Sequence, residues 1–99
     1  MVRHIVMFRL DGDAAAVAAA AADFKTSIEA LPAALPEWLL SAEVGINDGP
    51  AAGNWNIVLT ADCPDYEALA KYSAAQPHLD CVAIIKPLLQ ARACVDYTL

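Results

Sequence analysis

The chain has 99 residues, the length of one domain, and leaves no room for a second hydrophobic core. Its composition is 59% hydrophobic, which argues against intrinsic disorder, and its acidic residues are scattered and bring the formal net charge to −6. Because the 6 lysines and arginines are equally dispersed, no basic surface for nucleic acid is expected.

Cysteine usage and hydropathy predict a cytoplasmic protein without a membrane segment. Cys63, Cys81 and Cys94 are far apart and show no Cys-x-x-Cys spacing. A disulfide framework or a zinc site would need a denser pattern, so buried thiols in a reducing compartment are expected. The start does not read as a signal peptide, and the longest small-apolar stretch, residues 14–22, is too short and too rich in alanine to span a bilayer.

The first strand is predicted at residues 2–10, where side chains alternate between two faces. One face carries Val2, His4, Val6, Phe8 and Leu10, and the other carries Arg3, Ile5, Met7 and Arg9. Both faces therefore include large apolar side chains.

A helix is predicted from residue 14 to about residue 31, where alanine dominates. The preceding Asp11-Gly12-Asp13 offers a carboxylate cap, and Pro32 ends the helix. Its apolar stripe is Val17, Ala21, Phe24, Ile28 and Leu31.

Two strands are predicted next, at residues 38–46 and 55–61, separated by the loop at residues 47–53. A second helix is expected to begin near Pro64, with Asp62 or Cys63 as its cap. Its predicted inner stripe is Tyr66, Leu69, Ala70 and Ser73 or Ala74.

The last part of the chain predicts another helix and a final strand. Gln76-Pro77 breaks the preceding helix and restarts it, and Lys86-Pro87 kinks or ends the new segment. One face of this segment carries His78, Val82, Ile85 and Leu89. Residues 91–97 then read as the final strand.

The order strand, helix, strand, strand, helix, strand predicts an α+β, ferredoxin-like βαββαβ domain over residues 1–99 with a four-stranded antiparallel sheet. Helices cover only one face of such a sheet. The apolar residues on the other face predict a homodimer that pairs through this open sheet face. The alternative is that long side chains such as Arg3 and Arg9 cover much of it.

Short segments along the whole chain resemble one known family. They are His4-Ile5-Val6-Met7-Phe8-Arg9, Glu43-Val44-Gly45-Ile46-Asn47, His78 placed eight residues before Lys86-Pro87, and Val95-Asp96-Tyr97. In order and spacing they resemble the stress-responsive A/B barrel domain (Dabb) family of the dimeric α/β barrel superfamily. The resemblance covers essentially all 99 residues.

The resemblance implies a ferredoxin-like protomer that pairs with a second copy as a dimeric α/β barrel. Most members of the family have no established reaction, and a few look like cofactor-independent polyketide cyclases in which a Tyr and a His act together at a cavity mouth. The positions that would inherit those roles are Tyr72 and His78, with His4 reaching in from the first strand. The family's His-Pro-x-His stretch is altered here to Ala75-Gln76-Pro77-His78.

The three candidate residues each have a structural and a functional interpretation. The imidazole of His78 could act as a general base near neutral pH, aided by the helix start, or could cap the helix or bond a nearby carbonyl. His4 is either a site residue or a satisfied core histidine. Tyr72 could stabilise a developing enolate as a hydrogen-bond donor, or pack its ring with the hydroxyl in water.

No metal site or cofactor is predicted, since neither histidine has a partner at ligand spacing. Asp96 and Tyr97 are assigned to the sheet end or the dimer contact. Three functions stay open: a small dimeric protein that binds an apolar or aromatic metabolite, a cofactor-independent cyclase-like or monooxygenase-like enzyme, and a module that holds a partner protein.

Overall fold

The computed structural model describes all 99 residues and has the predicted order of strands and helices. The elements are β1 (Val2–Leu10), α1 (Ala14–Glu29), α2 (Leu31–Ala34), β2 (Ser41–Ile46), β3 (Ile57–Cys63), α3 (Tyr66–Ala74), α4 (Gln76–Ile85), a 3-10 turn (Lys86–Leu88) and β4 (Leu89–Thr98). The strands form one antiparallel sheet in the order β2-β3-β1-β4. This is the ferredoxin-like fold that the sequence predicts.

The predicted start of α3 is wrong, because the helix is capped by Asp65, two or three residues after the predicted cap. Cys63 and Asp62 do not cap the helix, because β3 continues through them and pairs them with Val2 and Arg3 of β1. The cap is Asp65, whose carboxylate accepts a hydrogen bond of 2.8 Å from the backbone N–H of Ala68. Asp62 instead accepts two hydrogen bonds from the guanidinium of Arg3, at 2.8 and 2.9 Å.

The predicted inner stripe of α3 is also partly wrong. Tyr66 is 50% exposed, and the buried residues of the helix are Ala68, Leu69 and Tyr72. Because the helix begins after Asp65, its first residue projects away from the sheet and the buried face falls on later positions. Strand β2 likewise starts at Ser41, since the backbone of Leu39 bonds to Leu35 in a turn.

The hydrophobic core lies between the helices and one face of the sheet. Phe24 and Ile28 of α1 are fully buried, as the apolar stripe predicts, and Phe24 meets Phe8 of β1 edge to face at 5.3 Å between ring centroids. Full burial of each such side chain stabilises the folded state by about 1.5–3 kcal/mol relative to leaving it exposed to water. The opposite face of the sheet has no helices over it and leaves Met7, Val58, Val95 and Tyr97 exposed.

Helix α1 also protects the outer edge of β2. Glu29 accepts a hydrogen bond from the backbone N–H of Val44 at 3.0 Å, and Lys25 donates one to the carbonyl of Val44 at 2.6 Å. The backbone groups that an edge strand would offer to another chain are thereby occupied at Val44. None of the helices combines the length and the hydrophobicity of a membrane-spanning segment. The cytoplasmic location stays a prediction.

Candidate functional site

A cavity of about 320 Å³ opens between the sheet and helix α4. Helix α1 packs on β2, and α4 packs beside α1. Strand β4 lies at the opposite edge of the sheet from β2 and extends beyond the helices. Apolar side chains supply most of the wall, and polar ones come from β1, α3, α4 and β4. The lining residues are His4, Val6, Phe8, Leu59, Ser73, His78, Leu79, Val82, Leu89 and Arg92.

His78 enters the cavity wall from the first turn of α4. The extended backbone of Ala75 separates α3 from α4 and brings the ring back onto the end of α3, where Nδ1 lies 2.9 Å from the carbonyl oxygen of Ser73. A carbonyl only accepts, so Nδ1 carries the proton and Nε2 of the neutral ring keeps its lone pair. Burial lowers the pKa of His78, which favours this neutral form at neutral pH.

His4 lies on the sheet side of the same cavity and is only 8% exposed. It faces Asp96 directly across β1 and β4, and its Nδ1 donates to the carboxylate oxygen Oδ1 at 2.5 Å. Nε2 is then the ring nitrogen left without a hydrogen-bond partner. Asp96 lies near the end of the edge strand β4, and its side chain shares the helix-facing side of the sheet with His4. Its part in a dimer contact stays a prediction.

Cys94 completes a group of three possible metal-ligand residues with His4 and Asp96. Its Sγ lies 3.4 Å from Nδ1 of His4 and 3.6 Å from the carboxylate of Asp96, and the ligand atoms all lie within 4.8 Å of one another. Nitrogen, sulfur and oxygen donors of this kind could hold zinc. The sequence offers no sign of the group because His4 lies 90 positions before Cys94 and 92 before Asp96. The expectation of no metal site stays a prediction.

Tyr72 lies behind His78 and does not line the cavity. Its ring is fully buried and meets the His78 ring edge to face, with 4.7 Å between centroids. The hydroxyl is also buried and has no hydrogen-bond partner, and burial raises its pKa. The expectation that a packed Tyr72 would keep its hydroxyl in water is wrong, since Ala68 and Leu69 bury the same helix face.

The structure thus brings His4 and His78 to one cavity and keeps Tyr72 in contact with His78. The sequence interpretation missed Arg92 and Ser73. Alternation along the last strand could have placed residues 92, 94 and 96 on one face, but the side of the sheet on which that face lies depends on how β4 pairs with β1.

The chain is thus a small α+β protein with a ferredoxin-like fold, one bare sheet face and a largely apolar cavity beneath its helices. A family model for the Stress responsive A/B Barrel Domain matches residues 2–99, and the chain belongs to this family.

Two solved structures show the likeness in detail. A dimeric ferredoxin-like protein of unknown function from Bacteroides fragilis NCTC 9343 is 33% identical, with a TM-score of 0.93 over 99% of this chain and 95% of the other. A dimeric ferredoxin-like protein of unknown function from Thermobifida fusca is 32% identical, with a TM-score of 0.79 over 99% and 90%.

A hydroxynitrile lyase from Passiflora edulis shares the fold at 19% identity, with a TM-score of 0.69 over 97% of this chain and 90% of the lyase. No match was found among curated protein sequences.

Proposed function

We propose that this chain forms a homodimer through its open sheet face and binds a small apolar or aromatic molecule in the cavity between sheet and helices. The observation that carries the binding function is the cavity itself: two histidines with free Nε2 atoms stand on an otherwise largely apolar wall. Its volume lies at the small end of the range of ligand pockets.

Support for the homodimer comes from the open face and from the relatives. The face exposes 63% of Val95 and 44% of Met7, although an isolated protomer gains nothing from apolar side chains in water. The relatives from Bacteroides fragilis and Thermobifida fusca, at 33% and 32% identity, are both described as dimeric. Two copies that pair by this face would cover these side chains.

Sedimentation analysis tests the dimer. Val95→Asp places a charge in the proposed interface and is expected to give monomers at micromolar concentration, where the wild type sediments as a dimer. Leu40→Asp is the matched control, because Leu40 is 49% exposed but lies in the turn before β2. A wild type that remains monomeric at high concentration would contradict the interface.

Filling the cavity tests the binding function. Val82 lines the cavity, whereas its neighbour Ala83 is exposed on α4. With naphthalene-2-carboxamide as the probe, methyl NMR spectra of the wild type and of Ala83→Trp are expected to shift at cavity residues. Val82→Trp is expected to abolish these shifts while retaining the wild-type circular dichroism. Equal shifts in both variants would place binding elsewhere.

We further propose a cofactor-independent proton-transfer function, favoured by the hydrogen bonding of His78. Its Nδ1 proton is held by Ser73, and its lowered pKa keeps Nε2 unprotonated, so Nε2 can take a proton from an acidic C–H of the ligand. Tyr72 packs its buried ring against His78 behind the cavity wall, so in this function it holds the imidazole in place and does not donate to the ligand. This is the cyclase-like or monooxygenase-like alternative; His4 would orient the ligand on the opposite wall.

Hydrogen–deuterium exchange separates turnover from binding. In D2O the wild type is expected to accelerate exchange of the methylene protons of 1-phenylbutane-1,3-dione, followed by proton NMR. His78→Gln is expected to lose the acceleration while still binding the naphthalene probe. If His78→Gln exchanges the ketone as fast as the wild type, His78 is not the base and only the binding function stands.

A further inference from the structure

Arg92 is the one arginine or lysine that lines the cavity. No aspartate or glutamate lines it, although the protein carries a net charge of −6. Arg92 also forms no salt bridge, unlike Arg3, Lys25 and Lys71, which pair with acidic residues. The cavity therefore has a positive wall inside an acidic protein.

Arg92 and Asp96 lie on the same face of β4, and of the two only Arg92 lines the cavity. Arg92 pairs in register with Phe8, and Asp96 pairs with His4 four residues further along the same face. Four residues of a strand span about 13 Å. The carboxylate of Asp96 is bonded to His4 and, at this spacing, does not pair with Arg92. The guanidinium of Arg92 is therefore free to bind a ligand anion.

We propose that Arg92 binds the carboxylate of the ligand, so that the cavity selects small apolar acids over neutral molecules of the same shape. This inference rests on the proposed binding function and names its ligand class. The planar guanidinium matches a carboxylate with two parallel hydrogen bonds, and the apolar wall accommodates the remainder of the molecule. A single cation suits a singly charged carboxylate better than a phosphate dianion.

Two isosteric probes test the selection: naphthalene-2-carboxylate and naphthalene-2-carboxamide. Methyl NMR titrations at about pH 8.5 keep free imidazoles neutral while the guanidinium stays charged. The wild type is expected to bind the carboxylate about tenfold or more tightly than the amide, the size of a charged hydrogen bond. Arg92→Gln is expected to remove this preference, and Arg92→Lys to retain part of it.

Lys86→Gln is the matched control, because Lys86 is exposed in the 3-10 turn after α4, forms no salt bridge and lies outside the cavity. It is expected to keep the wild-type preference. If Arg92→Gln binds both probes as the wild type does, the role of Arg92 is refuted while the binding function stands. If neither probe binds the wild type, the binding function fails and the acid selectivity fails with it.

Discussion

Nδ1 of His4 and Oδ1 of Asp96 lie 2.5 Å apart, although 92 positions separate the two residues in the chain. The contact exists because β1 pairs with β4 and places the two residues opposite each other. It holds the His4 ring in one tautomer at the sheet side of the cavity, while the Ser73 carbonyl does the same for His78 on the helix side. Both imidazoles are thus oriented by hydrogen bonds before any ligand arrives.

Removal of the Asp96 carboxylate is expected to release the His4 ring. In Asp96→Ala the Nδ1–H bond is lost, and nitrogen NMR shifts of His4 should report a mixture of tautomers in place of one. The free energy of unfolding should fall by about 1 kcal/mol, because a buried imidazole loses its partner. Asp48→Ala, in an exposed loop, serves as the control and should change neither quantity. A single unchanged tautomer in Asp96→Ala would show that the carboxylate does not orient His4.

Tyr72→Phe is expected to leave stability unchanged or raise it by up to about 1 kcal/mol. The hydroxyl of Tyr72 is buried without a partner, and an unsatisfied buried polar group is unfavourable in the folded state. Tyr66→Phe on the same helix removes an exposed hydroxyl and should have no effect. Urea unfolding measures both. A loss of more than about 1 kcal/mol in Tyr72→Phe would mean that the hydroxyl has a partner in solution.

Glu29→Gln is expected to flatten the acid limb of the stability curve. Hydrogen bonds from the Val44 backbone and then from Lys25 lower the pKa of Glu29 in the folded state. The carboxylate therefore contributes stability above the unfolded pKa of about 4.3, and this contribution is lost as the pH falls through the folded pKa.

The stability difference between the wild type and Glu29→Gln should be about 1 kcal/mol near pH 7, since partial exposure screens the pair, and should shrink toward acid. Glu67 forms the corresponding pair with Lys71 on α3 but accepts no backbone hydrogen bond. Glu67→Gln is thus the matched control, and because Glu29 is intact in this variant it should keep the acid limb of the wild type. Equal acid limbs for the wild type and Glu29→Gln would contradict the prediction.

Gly12→Ala is expected to destabilise the protein by about 1–3 kcal/mol. Gly12 has φ of +149°, a region that residues with a Cβ rarely adopt, and a Cβ there would lie 3.0 Å from Leu88. Gly53→Ala is the control, since a Cβ at that position would meet nothing within 4 Å and the φ of Gly53 is not in that region. Thermal unfolding compares the two, and equal melting temperatures would show that the loop before α1 relaxes.

Local patterns were sufficient to predict most of the fold. The apolar stripe of the alanine-rich helix predicted the buried face of α1, where Phe24 and Ile28 are fully buried, and the strand alternation predicted both faces of β1. The errors fall at element ends, as with Asp62 and Cys63. Those two residues look like a helix cap, but pairing with β1 keeps them in the sheet. A cap is a local preference, and the strand pairing that overrides it is not visible locally.

The candidate site was also predictable only in those features that local sequence reveals. His4 and His78 were recognisable from their positions and from the family resemblance, but their orienting partners were not. Ser73 acts through its backbone carbonyl, which any residue type would supply, and Asp96 acts through a pairing across the whole chain. The sequence likewise showed nothing unusual at Arg92.

The amino-acid sequence by itself determined the order of strands and helices, the apolar stripes and the two-sided first strand, because these depend on periodicity within a few residues. Only the tertiary structure decided that two histidines share one cavity, that Asp96 holds one of them and that Arg92 stands unpaired beside them. Such arrangements depend on strand order and register, and those are set by the packing of the whole domain.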